Sequence, residues 1–318
     1  MTEKKIITVF GATGSQGGAL ARAIVAEKEG EFAVRAVTRT PESDKARELE
    51  RLGAEVVRAD MDDPASLAPA FDGAYGAYLV TNFWEHMSAV REKAQAAALA
   101  NAAGHAGIQH AIWSTLEDTR DYIPLDDDRM PTLQERYKVP HFDAKAEADH
   151  YFTDAGVPTT YLRTTFYWEN LLGHFSPHRG ENGVLELSLP MGTSRLAGIA
   201  VEDIGRTALE IFKRGTDLIG ATVSIAGEHL TLTEMAKALT AELGEPVQYL
   251  PMTPDAYRRL DFPGADEAGN MFQYYADCEE RFIHARDLDA VRELNPLLQD
   301  FATWLAAHHD QLRAALGA

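Results

Sequence analysis

The chain has 318 residues, 45% of them hydrophobic and 25% charged, with a formal net charge of −19, which suits one large domain or two smaller ones. The acidic balance and the lack of a basic stripe argue against nucleic acid and against an anionic membrane surface as partners. One cysteine, no apolar run of the roughly 20 residues that a membrane helix needs, and no signal-peptide pattern predict a cytoplasmic protein without disulfides.

Strand and helix patterns alternate along the first half of the chain. The strand patterns are KIITVFG (5–11), FAVRAVTR (32–39), AEVVRAD (54–60), AYGAYLVT (74–81), HAIWST (110–115) and PTTYLRTTF (158–166). The helix patterns between them cover residues 16–29, 42–53, 64–73, 88–103 and 141–154, with Gly104 expected to end the fourth and Gly156 the fifth. Such alternation predicts an α/β fold with a doubly wound parallel sheet and right-handed crossovers.

After residue 166 the pattern becomes less regular. Helices are predicted over 202–215 and 231–244, the latter capped by Thr231 or Thr233, with a strand over 220–227 and a mostly helical tail containing an exposed-looking aromatic cluster at 265–275. We therefore expect a nucleotide-binding domain over 1–165, to which 198–228 returns, and a smaller mixed α/β C-terminal domain over 166–197 and 229–318. The polar segment 118–140, with two prolines and three consecutive aspartates, is predicted to be a mobile loop.

A glycine-rich turn joins the first strand to the first helix. Its glycines follow the spacing Gly11-x-x-Gly14-x-x-Gly17, in the strand–turn–helix context that gives this pattern its meaning. Gly11 permits the tight turn, Gly14 lets a pyrophosphate approach the backbone, and Gly17 lets the helix pack close to the strand. Free N–H groups and the helix dipole would then face the phosphates, so the turn predicts a dinucleotide site on a Rossmann-type sheet. The alternative is a glycine turn that serves packing only.

The end of the second strand bears on the choice of dinucleotide. NAD sites usually carry an acid there, whereas this strand ends in Arg39 and Thr40. A guanidinium pairs with a 2′-phosphate and stacks on adenine, which favours NADP(H) and leaves NAD(H) open. Arg39 could instead be a solvated arginine, and Glu42 and Asp44 in the next loop would repel a phosphate, with Lys45 alone helping.

Two further strand ends supply candidate contacts, because open parallel sheets bind ligands at the carboxyl ends of their strands. Asp60, or the backbone of Met61, can meet the adenine amine at the end of the third strand. Thr81, Asn82 and Phe83 follow the fourth strand, on the path from ribose to nicotinamide.

Six motifs together resemble the NmrA-like family, a branch of the short-chain dehydrogenase/reductase superfamily, and most of all its HSCARG-type NADPH-sensing proteins. They are VFGATGSQGG, VTRTP, VTNFWE, HFDAKAEADHYF, YWENLL and MFQYY. The resemblance implies a Rossmann domain, a small C-terminal domain, dinucleotide binding that is often specific for NADP(H), and in several members a regulatory role.

The resemblance also assigns site residues. It implies a phosphate loop at Gly11, Ala12, Thr13, Gly14, Ser15 and Gln16, a 2′-phosphate contact at Arg39, mid-cofactor contacts at Thr81, Asn82 and Phe83, a ribose lysine at Lys145, and a segment closing over the nicotinamide at Tyr167, Trp168, Glu169 and Asn170. The chain departs from the sensor pattern at Glu42 and Ser43, where basic residues are expected, and at Ala94, where a lysine is expected.

The catalytic motif of short-chain dehydrogenases, Tyr-x-x-x-Lys, is altered. The chain has His141 at the tyrosine position, four residues before Lys145. The pair could exchange protons with a substrate, or His141 could fill space in the first helical turn. Ser114 or Thr115 could bind a substrate carbonyl or cap a turn, and Tyr122 or Tyr137 could swing in from the loop.

Two functional hypotheses follow. The first is a regulatory NAD(P)-binding protein that changes shape or partner with cofactor state, with segment 118–140 as the switch; a protein partner could dock there or on the C-terminal domain, and a homodimer is possible. The second is an NAD(P)H-dependent oxidoreductase for a quinone or carbonyl, using His141 and Lys145, with an aromatic wall of Phe83, Trp84, Tyr167 and Trp168; a place in a biosynthetic pathway is a third, weaker reading.

The eleven histidines are scattered without ligand spacing, so no metal is predicted.

Overall fold

The computed structural model describes residues 4–317, and these fall into two compact units. The first unit runs to Asp118 and takes in residues 141–164 and 201–223. The second consists of residues 119–140, 165–200 and the chain from Ser224 onward. The segment 119–140 thus clusters with the second unit, whereas the sequence-based division placed it in the first.

The strands and helices are numbered here in chain order. The strands are β1 (Lys5–Val9), β2 (Phe32–Thr38), β3 (Glu55–Arg58), β4 (Gly76–Leu79), β5 (His110–Thr115), β6 (Thr159–Arg163), β7 (Phe166–Tyr167), β8 (His178–Arg179), β9 (Leu185–Leu187), β10 (Arg195–Ile199), β11 (Thr222–Ser224), β12 (Glu228–Thr231) and β13 (Val247–Tyr249). The α-helices are α1 (Ser15–Ala26), α2 (Asp44–Arg51), α3 (Ala68–Phe71), α4 (Ala89–Ala106), α5 (Pro140–Asp154), α6 (Val201–Lys213), α7 (Leu232–Leu243), α8 (Pro254–Arg258), α9 (Ala265–Asp277), α10 (Glu279–His284), α11 (Leu288–Leu294), α12 (Phe301–Ala307) and α13 (His309–Ala315).

The first unit is organised by a seven-stranded sheet in the order β11-β6-β5-β4-β1-β2-β3. The five adjacent pairs from β6 to β3 all run parallel. The order 3-2-1-4-5-6 is that of a dinucleotide-binding doubly wound sheet, whose topological switch point lies between β1 and β4. The predicted Rossmann-type fold class is therefore confirmed.

The central strands are buried along most of their length. All six positions of β5 are buried, as are the last three of β1, which a strand covered on both faces of a parallel sheet requires. Trp113 of β5 packs on Phe152 of α5 with ring centroids 4.9 Å apart, inside a cluster that also includes Leu99 of α4. This core fixes α4 and α5 against the sheet and so positions the polar residues that they carry.

Helix α4 does not end where the sequence pattern suggested. It continues through Gly104 and ends at Gly107, whose φ of 64° is the left-handed conformation that glycine favours at a helix end. Position 104, inside the helix, requires glycine because a Cβ there would come within 2.7 Å of the carbonyl oxygen of Ala155. The glycine thus marks a close approach between chain segments rather than a helix stop.

The second unit contains two small mixed sheets, which confirms the smaller mixed α/β region. One has the order β12-β10-β7, with β10 antiparallel to β12 and parallel to β7; the other has the order β13-β9-β8. Helix α7 begins with a capping box, in which the Thr231 hydroxyl accepts a bond from the Glu234 amide while the Glu234 carboxylate accepts one from the Thr231 amide.

The segment 118–140, expected to be a mobile loop, is anchored in the structure from residue 119 onward by contacts within the second unit. Lys138 is buried, and its ammonium donates to the carbonyl oxygens of Asp127 and Met130 at 2.8 and 2.7 Å. The amide of Asn270, which is fully buried in α9, donates to the carbonyl of Lys138 at 2.6 Å. Because a buried ammonium and a buried amide group donate to these carbonyls, the segment is a packed part of its unit.

The aromatic cluster of α9 was expected to be exposed and is buried instead. Phe272, Tyr274 and Tyr275 are each less than 5% exposed. Gln273 on the same helix donates to the carbonyl of Arg129 at 2.8 Å. The helix is therefore buried around most of its circumference, which a helical pattern of mixed aromatic and polar residues does not reveal.

Candidate functional site

The glycine loop has the geometry that the spacing predicted. Gly11 has a φ of 65°, a conformation that side chains other than glycine rarely adopt. A Cβ on Gly17 would come within 2.6 Å of the carbonyl oxygens of Gly11 and Phe10, so α1 can reach its position only without a side chain there. Gly14 is the N-cap of α1 and no side chain caps this end, which leaves helix N–H groups directed at the turn.

Gln16 connects the first turn of α1 to two strands of the sheet. Its side-chain oxygen accepts hydrogen bonds from the hydroxyls of Tyr78 on β4, at 2.5 Å, and Ser114 on β5, at 2.8 Å. These bonds fix the helix N-terminus relative to the carboxyl ends of both strands. Ser114, considered above as a substrate contact, is thereby committed to a protein acceptor.

Arg39, the predicted 2′-phosphate contact, pairs with a carboxylate. Its Nη1 lies 2.5 Å from Oε1 of Glu85, which ends a 3₁₀ turn at Phe83–Glu85 after β4. The hydrogen bond to Glu85 raises the pKa of Arg39. Both side chains are about half exposed, at 51% and 42%, so a ligand can reach them.

The other guanidinium groups near this edge are also paired. Arg58 donates to the carbonyl of Arg39 at 3.0 Å and to the Glu42 carboxylate at 2.6 Å. Arg91 pairs with Asp62. Glu42, which the sequence suggested would repel a phosphate, is thus neutralised by an arginine that sequence reasoning did not select.

The remaining predicted adenosine contacts serve local structure. The backbone amide of Asp60 donates to the Ser66 hydroxyl at 2.9 Å, and its carboxylate accepts from the amide of Asp62 at 3.0 Å. Met61 is half-buried against the hydrophobic core, and the exposed Thr40 donates its amide to the Thr38 hydroxyl at 3.2 Å. An adenine contact by Asp60 or Met61 remains a prediction.

Lys145 is the centre of a buried polar cluster. Its Nζ lies 2.8 Å from the hydroxyl of Thr81 and 3.0 Å from Oε1 of Glu92, and it also donates to the carbonyls of Thr81 and Ser114 at 3.3 Å. The Thr81 hydroxyl in turn donates to Glu92 at 2.6 Å. The ammonium also lies 4.8 Å from the ring centre of Trp113. Two predicted residues, Thr81 and Lys145, are thus brought into direct contact.

Glu92 is the member of this cluster that the sequence analysis missed. It is fully buried in α4, where burial disfavours its charged form, yet the charge of Lys145 and hydrogen bonding within the cluster lower the pKa of Glu92 to about 2. A second neighbour, His86, lies 3.4 Å away through Nε2. The available signal was an acid on the apolar stripe of an amphipathic helix, which comprises Ala89, Ala96, Leu99 and Ala103.

His141 lies in an aromatic enclosure. It is 6% exposed, and its ring centre lies 5.7 Å from that of Phe83, 5.0 Å from Trp84 and 4.8 Å from Phe142. Its position in the first turn of α5 is as predicted. These aromatic surroundings of His141 differ from those expected of an exposed acid or base. Asn82, which directly precedes Phe83, is exposed.

Asp149 extends the polar row of α5 by one turn beyond Lys145. Its Oδ1 accepts from the indole of Trp113 at 2.9 Å and from the hydroxyl of Thr115 at 2.6 Å. Burial raises the pKa of Asp149 to about 6, although these two hydrogen bonds oppose the shift. Thr115 therefore serves a protein carboxyl group in this structure.

The four residues predicted to close over the nicotinamide belong to the second unit. Tyr167 ends β7, and Trp168 to Asn170 lie in the 3₁₀ turn that follows. Trp168 is 1% exposed and packs on Trp304, whose indole donates to the Glu169 carboxylate at 3.0 Å. These contacts give Trp168 and Glu169 a packing role within their own unit, and their contact with a cofactor remains a prediction.

The two tyrosines of the 118–140 segment also have partners in the second unit. Tyr122 packs on Tyr274 and lies beneath the guanidinium of Arg281, 4.3 Å from its ring centre. Tyr137 is 3% exposed, with Arg120 over its ring at 5.3 Å. A role for either phenol as a mobile proton donor would require these contacts to break.

Neither a membrane-spanning helix nor a metal-binding cluster occurs within residues 4–317. No helix in that range is both long and apolar enough to cross a bilayer. Within the same range, no group of three or more histidine, cysteine, aspartate or glutamate side chains is arranged to hold a metal ion.

Curated relatives and solved structures resemble the whole chain. The oxidoreductase FrzB of Cladobotryum sp., which contains an NmrA-like family domain, is 28% identical over 296 residues, or 87% of this chain and 86% of the relative. The crystal structure of Nmra, a negative transcriptional regulator, gives a TM-score of 0.81 at 22% identity over 99% of both chains. Nmra complexes with NAD and with NADP give TM-scores of 0.80 and 0.76 at 22% identity, covering 100% and 96% of this chain and 99% and 95% of theirs.

The NADPH-dependent quinone oxidoreductase QOR2 of Escherichia coli, solved with NADPH, gives a TM-score of 0.74 at 22% identity, covering 95% of this chain and 98% of that chain. At such identities the structures establish the fold. The sequence itself matches the model of the NmrA-like family over residues 3–305. Since this match spans nearly the entire sequence, the chain belongs to the NmrA-like family.

Proposed function

We propose that the chain binds a nicotinamide dinucleotide along the carboxyl edge of β1, β2 and β4 and acts as a cofactor-responsive regulatory protein. The uncapped N-terminus of α1 would receive the pyrophosphate, Arg39 would face the adenosine ribose, and Thr81 and Lys145 would lie toward the nicotinamide ribose. The complexes of Nmra with NAD and NADP, and of QOR2 with NADPH, support a ligand of this class.

The observation that carries the regulatory part of the proposal is the state of the groups around Lys145. Reduction of a carbonyl needs a proton for the oxygen as well as a hydride, and short-chain dehydrogenases supply it from a tyrosine beside the lysine. Here the nearby hydroxyls of Thr81 and Ser114 donate to Glu92 and Gln16. Lys145 itself is neutralised by a buried carboxylate, which favours a binding role over a catalytic one.

A cofactor signal has a covalent route to the second unit. The segment 119–140 follows Asp118 directly and ends directly before His141, so both of its ends are joined to the nucleotide-binding unit. Its anchors on α9, among them Asn270, are hydrogen bonds that a displacement at either end would have to break. We therefore assign the switch to this segment, because a segment that the cofactor orders can expose or hide a partner surface.

The second candidate function is an NAD(P)H-dependent oxidoreductase. It is favoured by the exposed Trp84, 43% accessible, which packs on His141 and offers a flat apolar surface beside the nicotinamide end. The names of FrzB and QOR2 support the same reading. In this case His141 would have to act as the proton donor.

Two measurements together distinguish the regulatory function from the oxidoreductase function. NADPH oxidation is followed with a panel of quinones and aldehydes, and hydrogen exchange of residues 119–140 is measured with NADP⁺, with NADPH and without ligand. The regulatory function predicts no turnover above the rate without protein and different exchange of the segment in the oxidised and reduced complexes.

Variants of α5 and α4 supply the control. Turnover that disappears in His141→Gln but survives in Lys93→Met would establish the oxidoreductase, because Lys93 pairs with Glu147 between α4 and α5. Exchange that is identical in all three states would contradict the regulatory proposal, whatever the affinity for the dinucleotide.

A further inference from the structure

The Arg39–Glu85 pair bridges two strands that flank the glycine loop. Arg39 follows β2 directly, Glu85 ends the turn after β4, and β1 lies between these strands in the sheet. The glycine loop follows β1, so the pair joins the strand ends on either side of it. A dinucleotide that runs from adenosine at β2 to nicotinamide at β4 and β5 must therefore meet this pair.

Three guanidinium groups at this edge are each matched by one carboxylate, in the pairs Arg39–Glu85, Arg58–Glu42 and Arg91–Asp62. Asp60 adds a further negative charge that acts on Arg39. A site dedicated to a 2′-phosphate would carry an excess of positive charge, since the phosphate brings close to two negative charges. This edge has no such excess among its paired groups, so discrimination has to come from a rearrangement of the pairs.

We infer that Glu85 sets the cofactor choice of this chain. When NAD is bound, the Glu85 carboxylate accepts hydrogen bonds from the hydroxyls of the adenosine ribose. When NADP is bound, Glu85 releases Arg39, which then pairs with the 2′-phosphate. The inference rests on the proposed dinucleotide site and names the residue that governs its specificity. It also accounts for the missing acid at the end of β2, because a carboxylate that follows β4, two strands away in the sheet, would take that role.

The physical basis is a competition for one guanidinium. Arg39 and Glu85 are both about half exposed, and exposed ion pairs are weak enough for a ligand phosphate to displace the carboxylate. When Glu85 stays near the 2′-phosphate, the two like charges repel each other. When NAD is bound there is no such repulsion. The Glu85 carboxylate can then accept a hydrogen bond from a ribose hydroxyl and stay paired with Arg39.

The test is calorimetric titration of the full chain with NADP⁺ and NAD⁺, using the wild type, Glu85→Gln and Arg39→Gln. Removing the carboxylate charge should tighten NADP⁺ roughly fivefold and weaken NAD⁺ roughly fivefold, as expected for one charged hydrogen bond or one repulsion. Arg39→Gln should weaken NADP⁺ about tenfold or more and leave NAD⁺ within about twofold.

Glu42→Gln is the matched control, because Glu42 is a similarly exposed carboxylate at the same edge that pairs with Arg58. It is expected to tighten NADP⁺ slightly, through longer-range electrostatics, and to leave NAD⁺ unchanged. Glu85→Ala serves as a second variant, and thermal unfolding of each protein verifies that the fold is intact.

The inference is overturned if Glu85→Gln and Glu85→Ala shift NADP⁺ and NAD⁺ by the same factor, or shift neither. That outcome leaves the proposed dinucleotide site standing, since both ligands still bind. If the wild type binds neither dinucleotide, the proposed function and this inference fail together.

Discussion

At the residue scale, Glu92 and Lys145 form an ion pair that water hardly reaches, with side chains 0% and 9% exposed. Removing one partner of such a pair leaves a buried charge without compensation and costs about 3 kcal/mol or more. We therefore expect Glu92→Gln to lower the free energy of unfolding by about that amount in urea denaturation. Replacing both partners, in Glu92→Gln with Lys145→Met, should restore part of the loss.

The control for this pair is Glu147→Gln, which breaks the contact of Glu147 with Lys93 between the same two helices. This pair is nearer the surface, so its loss should cost about 1 kcal/mol or less. Equal losses of unfolding free energy in Glu92→Gln and Glu147→Gln would show that the buried pair stabilises the fold no more than the pair nearer the surface.

Asp149 gives the chain a pH dependence whose direction follows from its pKa. The folded value of about 6 lies above the roughly 3.9 of an unfolded aspartate, so between these values the folded state binds more protons and stability falls as pH rises. The two values correspond to about 3 kcal/mol lost from pH 4 to above pH 6. Asp149→Asn should remove this part of the slope, measured by urea unfolding from pH 4 to 7.

Two control variants define the pH range in which Asp149 changes the stability. Asp154→Asn changes an exposed carboxylate at the end of the same helix, and its stability curve is expected to run parallel to that of the wild type. Glu92→Gln should leave the slope between pH 4 and 7 nearly unchanged, because the lowered pKa of Glu92 confines the loss of its stabilising charge to pH values below about 4. A slope between pH 4 and 6 that persists in Asp149→Asn would contradict the assignment.

At the element scale, the position of α1 depends on Gly17. A methyl group there would meet two carbonyl oxygens at 2.6 Å, so Gly17→Ala must displace the first turn of the helix. We expect a loss of about 2 kcal/mol or more in unfolding free energy, together with loss of dinucleotide binding measured by calorimetry. Ala26→Ser is the control, because Ala26 is an exposed residue in the last turn of the same helix, away from the glycine turn. Unchanged binding in Gly17→Ala would contradict the role of this turn.

Elements with strong local signals were predictable, and elements decided by tertiary contacts were not. The strand His110–Thr115 and the helix Pro140–Asp154 match their sequence patterns within one residue, since apolar periodicity fixes both. The prediction that Gly104 ends the helix was wrong. Glycine is needed there because a side chain would collide with the carbonyl oxygen of Ala155, which is distant in sequence. The segment 118–140 and the aromatic residues of α9 were misjudged because buried contacts between distant parts of the chain, such as Asn270 to Lys138, replace the solvent that a polar sequence suggests.

At the scale of the whole molecule, the predicted fold is confirmed, whereas the ligand edge stays a prediction and the ion pairs along it were not foreseen. The glycine spacing, Arg39 and Lys145 could be selected from the sequence because each has a fixed position relative to a strand or helix. Glu85 and Glu92 were missed because their partners, Arg39 and Lys145, are far away in sequence and are brought close only by the strand order. Charge pairing across a sheet edge is therefore the part of the site that one sequence alone does not specify.

The proposed function depends on the turn from Gly11 to Gly17 receiving the diphosphate of a nicotinamide dinucleotide. The decisive measurement is calorimetric titration of the full chain with NADP⁺, NADPH, NAD⁺ and NADH. We expect one binding site per chain, which Gly17→Ala abolishes and Ala26→Ser preserves. The absence of binding heat for all four dinucleotides at millimolar concentration, or the same binding in Gly17→Ala as in the wild type, would contradict it.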